Sequence, residues 1–148
     1  MKCRISFIVI CILLVSFTGN PERRVGGPEP WTAKQLLSPA ELAAAINHPG
    51  SKKLFIFCVG PGALIRGSMD AGPAHEKENL EKLKRQLERL PKDADLVIYC
   101  GCCPFEHCPN IRPAFSLLNE MKFSNARLLN LEHNIQTDWI SKGYPSVP

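Results

Sequence analysis

The chain has 148 residues, of which 45% are hydrophobic and 22% charged, and its formal net charge is +4. That size and balance fit one globular domain with a sizeable core. The basic residues are scattered among acidic ones, with no aromatic-interleaved basic patch, which argues against a nucleic-acid partner.

At the start of the chain, Lys2 and Arg4 precede an apolar run over residues 5–15. A basic start and an apolar stretch of this length predict a secretory signal peptide over residues 1–19. An uncleaved N-terminal anchor is the alternative, although the run falls short of the about 20 apolar residues that span a bilayer. The expected location is export, periplasmic or secreted, with any membrane contact through this segment alone. Residues 20–30 carry Pro21, Gly26, Gly27, Pro28 and Pro30 and read as a linker. The folded domain is expected over residues 31–148.

Ser38, Pro39 and Glu41 form a capping box with proline at the first helical position, predicting a helix to about Ile46 with Leu42 and Ile46 inward. Residues 53–58 are a short apolar run rich in β-formers and read as a buried strand. Residues 60–73 carry four glycines and two prolines and read mostly as loop. Residues 78–90 predict an amphipathic helix, with Leu80, Leu83, Leu87 and Leu90 in one stripe and Pro91 ending it. Residues 95–100 predict a second buried strand, residues 113–121 a helix, and residues 126–131 a third strand. A last short helix is expected over 134–142, closed by Gly143. Strands alternating with helices predict an α/β fold, a parallel β-sheet flanked by helices on both faces. Sites in such sheets lie beyond the carboxyl ends of the strands, where Cys58 and Cys100 fall.

Four of the seven cysteines, Cys100, Cys102, Cys103 and Cys108, lie between the second strand and the following helix, and Arg112 stands just beyond them. A helix N-terminus offers unpaired N–H groups and the positive end of a dipole, which favour a thiolate or a bound oxyanion. A cysteine there has a lowered pKa and a larger thiolate fraction. Loss of a signal peptide removes Cys3 and Cys11. Five cysteines then remain, an odd number, so at least one is free or pairs between molecules. In an oxidising compartment, neighbouring thiols pair unless a reductant reaches them.

Taken together, residues 38–148 resemble the rhodanese-like domain family. Ser38-Pro-Ala-Glu-Leu42 is similar to the family's opening helix, and Gly67-Ser68-Met69 stands where the family often has Gly-His-Ile. Leu96-Val-Ile-Tyr-Cys100 resembles the strand that ends in the active-site cysteine. Asn130-Leu-Glu-His-Asn134, Asp138-Trp139 and Lys142-Gly-Tyr-Pro145 resemble the C-terminal segment. The resemblance implies a single rhodanese-like domain and a sulfurtransferase. Cys100 is then the nucleophile that takes sulfane sulfur as a persulfide from a small donor, such as thiosulfate or a persulfide, and passes it to a thiol acceptor. Gly101, His107, Asn110 and Arg112 form the expected anion-binding set, with Arg112 as the charged partner. Cys108 is a rival nucleophile, being closer in sequence to the helix and to Arg112, and Cys102 and Cys103 are candidate resolving thiols.

The chain departs from the family pattern in two places. Residues 101–111 separate Cys100 from Arg112, where the family's loop is short. The earlier strand ends in Cys58, followed by Val59 and Gly60, where the family usually has an aspartate and then an arginine. These departures favour a donor, an acceptor or a redox role other than ordinary thiosulfate chemistry. A thiol–disulfide redox protein and a non-catalytic metal-binding or partner-binding module are the alternatives, and a Cys103–Cys108 disulfide is one reading of the loop. Cys102, Cys103, His107 and Cys108 are the residues a zinc or copper(I) site would use. Crowded into one loop instead of two separated pairs, they are not expected to hold a metal, and no cofactor is expected. Cys58 is expected to be a packed small hydrophobe.

Overall fold

A computed structural model describes residues 29–148. The expected signal peptide, and all but the last two residues of the expected linker, lie outside these residues. Five strands form one parallel sheet: β1 (Leu36–Leu37), β2 (Leu54–Cys58), β3 (Ser68–Asp70), β4 (Asp95–Tyr99) and β5 (Ala126–Leu129). Their order across the sheet is β1-β5-β4-β2-β3, and every pairing is parallel. Helices α1 (Pro39–Asn47), α2 (Lys77–Leu87), α3 (Ile111–Glu120) and α4 (Ile135–Asp138) lie between and after the strands. The α/β architecture with a parallel sheet is therefore as the residue pattern predicts.

The central strand explains the two-sided core. Side chains alternate along a strand. Leu96 and Ile98 of β4 join a cluster with Leu83 and Leu87 of α2 and Phe115 and Leu118 of α3. Val97 and Tyr99 join a second cluster, with Leu42 of α1, Ile56 of β2 and Trp139. A strand covered on both faces reads as an unbroken apolar run, which is how residues 96–99 appear in sequence. Helix α1 begins as predicted: Ser38 Oγ accepts from the Glu41 N–H, and Glu41 Oε2 accepts from the Ser38 N–H at 2.9 Å. Leu42 is fully buried, whereas Ile46 only packs at the rim of the second cluster. The α2 stripe holds for Leu80, Leu83 and Leu87, but the helix ends at Leu87 and not at Leu90, which packs against the same cluster from the turn beyond it.

Several boundaries differ from expectation. β1 and β3 were not expected; with two and three residues they carry no periodicity of their own. The second strand ends at Tyr99, so Cys100 opens the loop, and β5 ends at Leu129. Helix α3 starts at Ile111, two residues before the expected Pro113. A proline at the third position costs nothing there, because the first helical N–H groups have no intrahelical partner. The last helix is divided into α4 and a 3₁₀ turn over Ile140–Lys142, closed by Gly143 at φ 71°.

Parallel registry puts the strand ends on one edge. Cys58 pairs with Tyr99 on one side and with Asp70 on the other. The Val59 N–H donates to the Tyr99 carbonyl at 2.8 Å, carrying the pairing one residue further. The chain leaving β4 therefore emerges at the middle of that edge.

Candidate active site

Cys100 is the first residue beyond β4 and is 1% exposed. Two glycines make room around it. A Cβ on Gly60, in the loop after β2, would stand 2.3 Å from Cys100 Sγ. A Cβ on Gly101 would press to 2.9 Å on Ile135, whose N–H donates to the Gly101 carbonyl at 2.9 Å. The loop then runs outward through Cys102, which is exposed, and Cys103, which is half-buried. It is pinned again at a 3₁₀ turn, Phe105–His107. The Phe105 N–H donates to the Leu131 carbonyl, and its ring packs 6.3 Å from that of Trp31. Cys108 follows, fully buried, and turns back toward Cys100 just before α3.

This path gathers the four loop thiols. Cys100 Sγ lies 3.3 Å from Cys102 Sγ, which lies 3.2 Å from Cys103 Sγ. All four sulfurs lie within 4.8 Å of one another. Cys58, Cys100, Cys102, Cys103 and Cys108 are all free thiols in this structure.

Asn110, 3% exposed, caps the cluster from the N-terminal end of α3. Its Nδ2 donates toward Cys100 Sγ at 3.5 Å. Its Oδ1 accepts from the His75 N–H at 3.1 Å and lies 2.7 Å from His75 Nδ1. A carbonyl oxygen only accepts, so His75 carries its proton on Nδ1 in this pair. Two donors on Oδ1 fix the amide so that Nδ2 faces the sulfur.

The electrostatics single out one thiolate. Hydrogen bonding from the Cys108 thiol acts first, then the Cys102 backbone N–H, the Asn110 amide and the Cys102 thiol; against the opposing effect of burial, they draw the Cys100 pKa down to about 5. Cys108 is driven upward, chiefly because its proton is held against the Cys100 sulfur and secondly by burial. Cys102 is pushed up to about 12 by partial burial and by donation to Cys103 and Cys100. The cluster thus carries its negative charge on Cys100, with its neighbours as proton donors. Cys58 is fully buried on the other face of the sheet, and burial pushes it up to about 11. It is the packed hydrophobe expected of it.

No protein-family model matches the chain, and no curated protein matches it at a significant level. Solved structures do match. The solution structure of the rhodanese-like domain of Alr3790 from Anabaena sp. is similar with a TM-score of 0.54 at 18% identity, over 76% of this chain and 78% of that one. The single-domain sulfurtransferase RDL2 of Saccharomyces cerevisiae gives a TM-score of 0.50 at 17% identity, over 76% and 95%. The fold is rhodanese-like. A variant of EanB solved in complex with hercynine contains a similar domain, with a TM-score of 0.54 at 18% identity, although this chain spans only 27% of that one.

Within the rhodanese-like sheet, two expected site residues stand away from the thiols. Arg112, expected as the anion's charged partner, donates from Nη2 to Glu29 Oε1 and to the Glu106 carbonyl at 2.8 Å, and its guanidinium lies 5.6 Å from the Trp31 ring. None of its hydrogen bonds reaches a thiol. The cause is the early start of α3: Ile111 turns into the core, which leaves the next residue facing outward. His107 is exposed in the 3₁₀ turn and outside the thiol cluster. Gly101 and Asn110 do adjoin Cys100. His75 and Gly60 were missed. They lie 25 and 40 residues before Cys100, and only the parallel sheet brings their loops to it.

Proposed function

We propose that this protein is a sulfurtransferase-type enzyme that carries sulfane sulfur as a persulfide on Cys100. The observation that carries the reading is the buried Cys100 thiol at the carboxyl edge of a rhodanese-like sheet, with the Asn110 amide and neighbouring thiols around its sulfur favouring the thiolate. The sulfurtransferase RDL2 among the structural neighbours supports the same class of chemistry.

In the first step the Cys100 thiolate attacks the terminal sulfur of a small donor. A new S–S bond forms, the donor's S–S bond breaks, and the displaced group leaves with the electron pair, sulfite when the donor is thiosulfate. No proton is consumed, because the nucleophile is already ionised. The Cys102 N–H and the Asn110 amide then face the persulfide anion. In the second step the thiolate of an acceptor attacks the outer sulfur, takes it as a persulfide, and restores the Cys100 thiolate.

A second reading rests on the 3.3 Å contact between Cys100 and Cys102. Attack by Cys102 on the inner sulfur of the persulfide forms a Cys100–Cys102 disulfide and expels hydrosulfide, the sulfane sulfur being reduced as two thiols are oxidised. An external reductant then restores the pair, as in a thiol–disulfide redox protein. Export belongs to this proposal too, supported by the basic start and the apolar run over residues 5–15.

The test is steady-state transfer from thiosulfate or a polysulfide to a small thiol, following sulfite or acceptor persulfide. Cys100→Ser is expected to lower kcat/KM by roughly 10³-fold or more, the scale of losing a nucleophile. Equal turnover in the variant would remove Cys100 from the chemistry.

A further inference from the structure

We propose that Cys100, Cys102, Cys103 and Cys108 together form a four-thiolate site for one soft d10 cation, with Zn²⁺ as the probe. The site goes beyond the sulfur-transfer reading and does not depend on it.

The geometry carries the inference. All four Sγ atoms lie within 4.8 Å of one another, the adjacent pairs at 3.2 and 3.3 Å. With Zn–S bonds of about 2.3 Å, the sulfurs of a regular tetrahedron stand roughly 3.8 Å apart, and no two on one ion exceed about 4.6 Å. The observed spacings bracket that value, so changes in S–S separation of about 0.6 Å for the closest pairs and of up to about 1 Å for the widest bring all four onto one centre. His107, one of the four residues that a metal site in this loop would use on the sequence alone, is outside the cluster, and Cys100 takes its place.

The donor set selects the ion. Four sulfurs with no carboxylate or imidazole among them suit Zn²⁺ or Cu⁺ and offer nothing to Mg²⁺ or Ca²⁺. The scaffold is half rigid and half open. Cys100 is held by the end of β4 and Cys108 by the start of α3, both buried, whereas Cys102 and Cys103 lie on the outer bend where an ion enters. Each thiol that ligates releases its proton to solvent, and no redox step is involved. Four thiolates leave no open coordination position, which marks a holding site and not a Lewis-acid site. Cys100 then serves either as ligand or as sulfur acceptor, but not as both at once.

The test is metal uptake by the reduced full chain with Cys3 and Cys11 replaced by serine, and with no sulfur donor present. A Zn²⁺ titration against a chromophoric chelator is expected to give one equivalent per chain. Co²⁺ in the same protein is expected to give the intense visible bands of a tetrahedral thiolate complex. Each of Cys100→Ser, Cys102→Ser, Cys103→Ser and Cys108→Ser is expected to weaken Zn²⁺ by at least the roughly 10- to 100-fold that even an outer-sphere partner is worth. Bound Zn²⁺ should also protect Cys102 and Cys103, the two more exposed thiols of the cluster, from alkylation. Uptake well below one equivalent, a weak octahedral Co²⁺ spectrum, or unchanged affinity in any one serine variant would overturn the four-thiolate site.

Discussion

Asn110 divides its amide between two partners, with His75 on the oxygen and the Cys100 sulfur on the nitrogen. A hydrogen bond to a charged group is worth about 1.5–3 kcal/mol, and one pKa unit is about 1.4 kcal/mol. Asn110→Ala should therefore raise the Cys100 pKa by about 1–2 units from its value of about 5. Alkylation requires the thiolate, so its rate in wild type should already be near its plateau at neutral pH, and the variant's profile should move toward higher pH. His75→Ala should move it the same way by less, since His75 acts only through the amide. An unmoved profile in Asn110→Ala would mean that the amide is only packed beside the sulfur. Asn110 is legible in sequence as a polar residue ahead of a helix. Its orientation is not, because the group that sets it stands 35 residues earlier. Arg112 shows the reverse case. Spacing places it near the cysteines, but the face it occupies depends on a helix start that proline statistics put two residues late.

At the scale of elements, the span from Cys100 to Asn110 is held at both ends and at one point between. The ends are β4 and α3, and the intermediate point is Phe105, packed near Trp31 and bonded through its N–H to Leu131. Truncation of a buried phenylalanine costs about 3–5 kcal/mol, and Phe105, at the rim of the core, belongs at the lower end of that range. Phe105→Ala should lower stability in denaturant by about 3 kcal/mol. It should also slow alkylation of Cys100 at neutral pH, because Cys108 is no longer held against it. A destabilised variant with an unaltered Cys100 profile would separate the loop's anchor from the thiol's environment. The strands, the α2 stripe and the α1 capping box were legible because each carries a local signal of periodicity or cap chemistry. β1 and β3 were not, because their strand character comes only from the neighbours they pair with.

The whole molecule couples its stability to the same proton. Cys100 ionises well below its ordinary value near 9 in the folded chain, so folding favours its thiolate. That contribution is complete above the unfolded value and is lost as pH falls toward about 5. Cys58, Cys102 and Cys108 shift the opposite way and oppose folding above about pH 9, where the unfolded thiols ionise first. In reduced, metal-free protein, the stability difference between wild type and Cys100→Ser should therefore grow from pH 5 to pH 8. Urea unfolding at each pH checks this, and a difference that stays flat would contradict the assigned thiolate. The rhodanese-like fold was legible from the order of elements and from the C-terminal segment. The thiol cluster was not, since a loop sequence does not say which of its cysteines turn back on one another.

The most direct measurement of the central claim is the intact mass of the reduced chain after exposure to thiosulfate or a polysulfide, for wild type, Cys100→Ser and Cys108→Ser. The expected result is a gain of one sulfur atom, removable by reductant, present in wild type and Cys108→Ser and absent in Cys100→Ser. A gain lost only in Cys108→Ser would move the nucleophile to the start of α3. No gain with either donor, together with loss of two hydrogens on oxidation, would contradict sulfur transfer and leave a disulfide-forming loop.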